Sequence, residues 1–258
     1  MHRTSRISIL LVTLLFLYLP VLVLVIYSFN DARLSMQWSG FTLRWYGELF
    51  SSREHVRAIL NTLTVSLTST LVATVLGTLL AWGLYRYQFR GKRWLETLVY
   101  LPVVIPDILM AVALLLFYAV LQARLGKTTI ILSHISFQVS FVVLTVRGRL
   151  LHFPYELVEA ARDLGAGVWA TLREVYWPLL RPGILSGAAL AFSLSVDDFI
   201  ITYFTAGGGD STLPVYIYSM IRRGVTPEIN ALSTLMLVVS FLALWASARY
   251  VRRQAAGR

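Results

Sequence analysis

The sequence predicts an all-α membrane protein with six transmembrane helices. Apolar residues make up 57% of the 258 positions and charged residues only 14%, whereas soluble domains contain about 25% charged residues. A helix needs about 17–25 apolar residues to cross a bilayer, and six stretches meet this requirement: residues 7–29, 59–85, 95–121, 129–146, 179–204 and 229–250. No linker between them is long enough to separate two domains, so we expect a single membrane domain over residues 1–258.

The first apolar stretch follows Arg3 and Arg6 and has the charge pattern of a secretory signal peptide. Its apolar run, however, is longer than the roughly 7–15 residues of such peptides. The end of the stretch, from Tyr27 to Asn30, is not a small-residue cleavage site either. We therefore expect a membrane anchor that stays in the protein.

The next elements combine apolar length with polar or aromatic side chains. The loop after the first stretch contains aromatic residues typical of a membrane interface, which also suit a lip over a transport path: Trp38, Phe41, Trp45, Tyr46 and Phe50. The second stretch is rich in Ser and Thr, which allow helices to pack closely in lipid. The fourth stretch contains His134 and Gln138 among several serines, so we expect neighbouring helices to cover it.

Three aspartates lie within the apolar stretches, where each charge costs about 2.5–3.5 kcal/mol at a helix centre. Asp107 follows Pro106, and Asp197 and Asp198 are adjacent. Consecutive helical residues point about 100° apart, so we expect one of this pair to face a path and the other to hold structure, and we assign Asp198 to the path. The alternative is a structural role, either capping of a broken helix or pairing with His134.

Positive charge predicts the orientation, because Lys and Arg concentrate on cytoplasmic loops. With both termini inside, 15 of the 23 basic residues are cytoplasmic, and the others are Arg33, Arg44, Arg53, Arg57, Arg124, Lys127, Arg222 and Arg223. The net charge of +10 therefore reflects membrane orientation, and we expect no nucleic acid partner. The sequence contains no cysteine and its four histidines are not paired at helical spacing, so we expect no metal site.

Between the fourth and fifth stretches the chain becomes polar over residues 147–177. Pro154 suits the first turn of a helix, Glu156 suits its N-terminal field, and Gly165 suits a left-handed exit. We expect this helix to end near Leu164 and a second short helix to cover residues 168–177, just before Pro178. Residues 152–178 are called the elbow below.

The elbow contains Glu159, Ala160 and Ala161, followed by Gly165 and then Pro178. This spacing resembles the E-A-A-x3-G-x9-I-x-L-P loop of ABC-importer permeases, with Val in place of Ile and Trp in place of Leu. Two short motifs are decoys. Residues 126–128 resemble a phosphate-binding loop but lack its first glycine, and residues 207–210 resemble the G-x-G-D signature of intramembrane aspartyl proteases but are followed by turn residues. Further segments resemble permeases of the spermidine/putrescine type: residues 41–46, 85–92, 106–108, 195–199, 217–220 and 226–231.

The resemblance implies the type I ABC-importer permease fold in a bacterial inner membrane, with alternating access powered by a separate ATPase. The chain would then be a pore-forming subunit without catalytic residues or a cofactor, since ATP and Mg bind the ATPase. In such permeases the loop at Glu159, Ala160, Ala161 and Gly165 couples to that ATPase. The implied partners are a cytoplasmic ATPase dimer, a second, PotB-like permease, a periplasmic or extracellular polyamine-binding protein, and membrane lipid.

The carboxylates themselves predict the character of the substrate. No Lys or Arg lies at the centre of a stretch, so Asp107, Asp197 and Asp198 would give a path a negative lining suited to a cation. Trp45 would add cation–π contact of about 0.5–2 kcal/mol. Three alternatives stay open: a permease of the same family for another solute, an ion-driven secondary transporter, and an intramembrane aspartyl hydrolase that uses Asp107 with one of the paired aspartates. The secondary transporter has no use for the elbow, and the hydrolase would cut its substrate without ATP.

Overall fold

The computed structural model describes residues 3–32, 37–151, 153–224 and 226–256. Arg33, which enters the charge count, and His152, the first residue of the elbow, lie outside these ranges. Within them the chain forms twelve α-helices, numbered in order: α1 Arg3–Tyr27, α2 Arg44–Ser51, α3 Arg53–Arg86, α4 Lys92–Val104, α5 Asp107–Val120, α6 Lys127–Leu150, α7 Glu156–Asp163, α8 Val168–Thr171, α9 Trp177–Asp197, α10 Ile200–Thr205, α11 Leu213–Ile221 and α12 Pro227–Ala256.

Five helical stretches in the described ranges are long and apolar enough to cross a membrane: Ile7–Tyr27, Arg53–Arg86, Lys127–Leu150, Val168–Asp197 and Pro227–Tyr250. A sixth candidate is the pair α4 and α5, which meet at an angle of 114°. The all-α membrane fold predicted from the sequence is thus confirmed. The third stretch is predicted to form one helix, but it is divided into α4 and α5. The division occurs because Pro106 has no N–H to donate and holds Ile105 in the extended region, with ψ at 133°.

The chain divides into two compact units, Met1–Ile59 with Leu213–Val239 and Leu60–Thr212 with Ser240–Arg258. The expectation of one permease domain over residues 1–258 stays a prediction. In the first unit, Leu49 and Leu232 lie in a core where neither is exposed to solvent. This core also joins α2 to α11 through Trp45 and Ile217.

In the second unit α6 packs against α4, α9 and α10, and α10 packs against α5. Val142 and Val146 of α6 are fully buried in this core. A Cβ added at Gly77 of α3 would lie 2.7 Å from the Cβ of Val142, so a small residue permits the close approach of the two helices. His134 and Gln138 are also fully buried, which confirms that neighbours cover the polar fourth stretch.

The glycine-rich segment after α10 is a loop tied to the start of α6. The backbone N–H of Lys127 donates to the carboxylate of Asp210 at 3.2 Å. A Cβ added at Gly207 would lie 2.1 Å from the carbonyl oxygen of Leu125, so only glycine fits there without rearrangement. Asp210 thus has a capping role, as expected of a turn rather than of a protease motif.

Candidate functional site

The second unit brings Asp107, Asp197 and Asp198 to the wall of one cavity of about 470 Å³. Two chain breaks make this possible: the bend between α4 and α5, and the extended residue between α9 and α10, where the ψ of Asp198 is 122°. None of the described residues that line the cavity is Lys or Arg. The three carboxylates therefore have no cationic side chain beside them in its wall.

Asp107 is the first residue of α5 and is exposed to solvent. Within the described ranges its carboxylate has no hydrogen-bond or ion-pair partner. The field of the helix N-terminus favours its negative charge by about 0.3–1 kcal/mol. Asp107 thus presents to the cavity a carboxylate that no described residue engages.

Asp197 is the last residue of α9 and is also exposed. Its carboxylate accepts one hydrogen bond, from Ser240 Oγ at 3.3 Å. A negative charge at a helix C-terminus faces the negative end of the helix dipole. A bound cation would relieve this repulsion, so Asp197 is well placed to attract one.

Asp198 is held by the protein, and its side chain is only 10% exposed. Its carboxylate accepts bonds from the backbone N–H and the hydroxyl of Thr202, both at 2.8 Å, and from the N–H of Ile201 at 3.3 Å. It also lies 3.2 Å from Nε2 of His134. Asp198 therefore caps α10 and pairs with His134, the two structural roles considered for an aspartate from the sequence.

The buried network extends beyond Asp198. His134 is fully buried, with Nδ1 lying 2.7 Å from Ser195 Oγ and Nε2 lying 3.0 Å from Thr202 Oγ1. Both ring nitrogens are thus occupied by α9 and α10. Asp197 is thus the more open carboxylate of the pair and Asp198 the more constrained one, whereas the sequence predicts that Asp198 faces the path, and which of the two faces a substrate stays a prediction.

Replacing Asp198 by alanine is therefore expected to lower the yield of folded protein. The change leaves the N–H groups of Ile201 and Thr202 without their acceptor and removes the carboxylate beside His134, and each buried unsatisfied group costs about 1–3 kcal/mol. Asp198→Asn keeps one acceptor oxygen and should fall between wild type and alanine. Size-exclusion chromatography of a fluorescent fusion in detergent measures the monodisperse fraction, and equal profiles for all three proteins would contradict the structural role.

Trp45, the fourth residue predicted for the path, belongs to the first unit. It is 5% exposed, its indole N–H donates to the carbonyl of Asn30 at 2.7 Å, and the Arg44 guanidinium lies 4.3 Å from its ring centroid. One face of the ring is thus already in contact with a cation, and its role in the path stays a prediction. The wall of the 470 Å³ cavity instead contains three phenylalanines that sequence reasoning missed: Phe137, Phe141 and Phe199.

The elbow begins with α7, which ends in a left-handed turn as predicted. Gly165 has φ at +83°, its N–H donates to the carbonyl of Arg162 at 2.8 Å, and the N–H of Ala166 donates to the carbonyl of Ala161 at 2.9 Å. These two bonds form the Schellman arrangement that closes a helix C-terminus. A Cβ at Gly165 would meet no atom within 4 Å, so glycine is needed there for its conformation and not for space.

One face of α7 is anchored and the other is open. Val158 is fully buried in the core that contains Phe153 and Tyr176, and those two rings stack at 4.9 Å between centroids. Glu159 and Ala160 lie on exposed positions, while Ala161 is half-buried. The coupling residues predicted from the sequence thus lie on a short helix that packs against the core on one face and is exposed on the other.

The second half of the elbow differs from the prediction of one short helix over residues 168–177. The chain forms α8, then a π-helical turn over Leu172–Tyr176 that runs directly into α9. The N–H of Trp177 donates to the carbonyl of Leu172. Pro178 has no N–H to offer the carbonyl of Glu174, so the regular bonding pattern cannot continue across this point.

Comparison with known proteins shows which family this chain resembles. Residues 73–255 match the family described as "Binding-protein-dependent transport system inner membrane component". The chain is 40% identical over 242 residues to the spermidine/putrescine transport system permease protein PotC of Escherichia coli (strain K12), covering 94% of this chain and 92% of PotC. It is 40% identical over 255 residues to the putrescine transport system permease protein PotI of the same organism, covering 95% and 91%.

Solved structures support the fold. A bacterial ABC transporter involved in the import of the acidic polysaccharide alginate aligns with a TM-score of 0.73 at 20% identity, over 97% of this chain and 94% of that one. The MetNI methionine ABC transporter aligns with a TM-score of 0.65 at 24% identity, over 77% and 95%. With its multi-pass helical architecture, the chain belongs to the family of binding-protein-dependent inner-membrane transport components, the permease subunits of ABC importers.

Proposed function

We propose that this permease carries polyamines, spermidine and putrescine, by alternating access powered by a separate ATPase. The observation that carries the proposal is the cavity lined by Asp107, Asp197 and Asp198, with no basic residue among the described residues of its wall. The identity to PotC and PotI supports the same substrate class. A permease for an acidic solute, such as the alginate importer whose fold is similar, would need basic side chains, and the described residues of this wall include none.

The open carboxylates suit a diamine better than a single ammonium ion. Asp107 lies at the start of α5 and Asp197 at the end of α9, so the two charges come from different helices. A polyamine carries its positive charges at separated positions along an apolar chain. The phenylalanine side chains in the wall suit the methylenes between those charges, and their ring faces attract cations.

Uptake in cells tests the substrate class. The permease and its partner genes are expressed in a bacterial strain without other polyamine importers, and uptake of radiolabelled spermidine and putrescine is measured. We expect saturable uptake that unlabelled polyamines inhibit and that methionine and alginate oligosaccharides leave unchanged. Uptake of neither polyamine by an expressed, assembled complex would refute the assignment.

The partners proposed for the chain are a cytoplasmic ATPase dimer, a second, PotB-like permease and a polyamine-binding protein outside the membrane. The exposed face of α7 at Glu159 and Ala160 supports the ATPase contact. ATP and Mg would bind that ATPase, so this chain itself would hold no cofactor. In this arrangement the aspartates bind substrate and the elbow receives the mechanical work of ATP hydrolysis.

We further propose that both termini and the elbow are cytoplasmic, as the distribution of Lys and Arg indicates. The chain has no cysteine, so single cysteines can be introduced without a background signal. We expect cysteines at Arg90 and Ala166 to resist a membrane-impermeant thiol reagent in intact cells and a cysteine at Ser211 to react. Labelling of Ala166→Cys from outside would reverse the orientation, and labelling after permeabilisation is the control for reactivity.

A further inference from the structure

A second cavity of about 490 Å³ lies beside the π-helical turn, away from the three aspartates. Its wall joins α3 to the start of α9, and four aromatic residues contribute to it: Trp82, Trp169, Tyr176 and Trp177. The other uncharged residues of this largely apolar surface are Thr78, Leu79, Leu172, Leu180 and Ile184. Arg173 is the one charged residue among the described residues that line it.

Two polar groups at this cavity have no hydrogen-bond partner among the described residues. The indole N–H of Trp82 and the hydroxyl of Thr78 are buried, and neither forms a hydrogen bond within the described ranges. A buried donor without an acceptor costs about 1–3 kcal/mol, so an occupant with a suitably placed oxygen would remove this cost. A purely apolar occupant would leave it in place.

The position of the cavity in the fold indicates where such an occupant comes from. Trp82 lies in the last two turns of the membrane-spanning stretch Arg53–Arg86, and Trp169 and Trp177 lie in the first turns of the stretch Val168–Asp197. Trp169 is 77% exposed and Trp177 is 53% exposed. Tryptophans at the ends of spans mark the level of the lipid headgroups, so the cavity opens at the bilayer interface.

We propose that this cavity binds an anionic phospholipid of the bilayer. The acyl chain would fill the aromatic wall, an ester carbonyl would accept the hydrogen bonds of Trp82 and Thr78, and Arg173 would attract the phosphate. The Arg173 side chain is exposed and pairs with the exposed Glu174 carboxylate at 3.7 Å, and because such surface pairs contribute little, a headgroup phosphate could replace Glu174 as its partner. Basic pockets between transmembrane helices are known to bind acidic lipids in this way.

The proposed lipid would also stabilise the elbow. Leu172, Arg173 and Tyr176 belong to the π-helical turn, and all three line the cavity. Because Tyr176 stacks on Phe153 beneath α7, an occupied cavity would support the base of the predicted coupling helix. This inference concerns a lipid and does not depend on the identity of the transported solute.

The test compares Trp82→Phe, which removes the N–H but keeps a ring, with Trp94→Phe in α4. Trp94 is 77% exposed and does not line this cavity. The intact transporter complex is purified in detergent, incubated with phosphatidylglycerol and examined by native mass spectrometry and thermal unfolding. We expect Trp82→Phe to weaken lipid retention about threefold to tenfold, the range for one net hydrogen bond, and Trp94→Phe to behave as wild type.

A second variant tests the headgroup contact. Arg173→Gln should remove the preference for phosphatidylglycerol over phosphatidylcholine while the complex keeps its basal thermal stability. Equal lipid retention in wild type, Trp82→Phe and Arg173→Gln would overturn the proposal. A photo-crosslinking residue at Leu79 that forms adducts with another protein chain instead of lipid would overturn it as well.

Discussion

Replacing Asp107 and Asp197 together by asparagine is expected to reduce spermidine uptake to background while the protein still folds and assembles. Asn has nearly the same shape as Asp but carries no charge. Each of the two substitutions removes a charge-assisted interaction with an ammonium group. One such interaction is worth about 1.5–3 kcal/mol, which corresponds to a factor of about 10–150 in affinity. The side chains are exposed at the cavity, so the folded state loses little.

Two controls separate substrate binding from stability. Asp31→Asn changes an exposed aspartate of the first unit that pairs with Arg44 at 3.7 Å, and it should leave uptake unchanged. Asp198→Asn should reduce the amount of assembled complex, because that carboxylate holds α10 and His134. Normal uptake by the Asp107→Asn/Asp197→Asn protein at equal expression would show that the open carboxylates do not bind the substrate.

Gly165→Val is expected to uncouple ATP hydrolysis from transport. A non-glycine residue in the left-handed region costs about 1–2 kcal/mol, and a β-branched side chain is the least suited to it. The Schellman turn would open and α7 would no longer present Glu159 and Ala160 to a partner. We expect uptake to fall at least several-fold, together with loss of the substrate-stimulated ATPase activity of the purified complex.

Gly167 provides a matched control two residues away. Its φ is −69° and its ψ is 169°, which any residue adopts, and a Cβ there would also meet no atom within 4 Å. Gly167→Val should therefore transport normally, and Gly165→Asn should retain more activity than Gly165→Val because Asn tolerates the left-handed region. Full coupling in Gly165→Val would exclude the proposed role of the turn.

Features with a local physical cause were predicted correctly from the sequence. The apolar stretches follow from length and composition, and the end of α7 follows from the glycine requirement at residue 165. The covered fourth stretch follows from the cost of His134 and Gln138 in lipid. Each of these predictions needs only a few neighbouring residues and a known free-energy cost.

Features that depend on distant partners were not predictable in the same way. The 100° between consecutive helical residues shows that Asp197 and Asp198 point in different directions. Which of the two caps α10 is decided by His134 on α6 and by Thr202. Pro106 interrupts the third stretch, whereas Pro102 lies within α4 without interrupting it, so the presence of a proline alone does not indicate where a helix bends. Nothing in the spacing of Phe137 and Phe141 along the sequence indicates that they line a cavity.

The most direct test of the central claim is transport in proteoliposomes that contain this chain with its ATPase, the second permease and the binding protein. We expect spermidine to accumulate only when ATP is supplied on the side of the ATPase, and spermidine-loaded binding protein to stimulate ATP hydrolysis. Both signals should disappear in the Asp107→Asn/Asp197→Asn protein. Spermidine accumulation driven by an ion gradient without ATP, or ATP hydrolysis that ignores spermidine in a complex that transports another solute, would contradict the assignment as an ATP-driven polyamine permease.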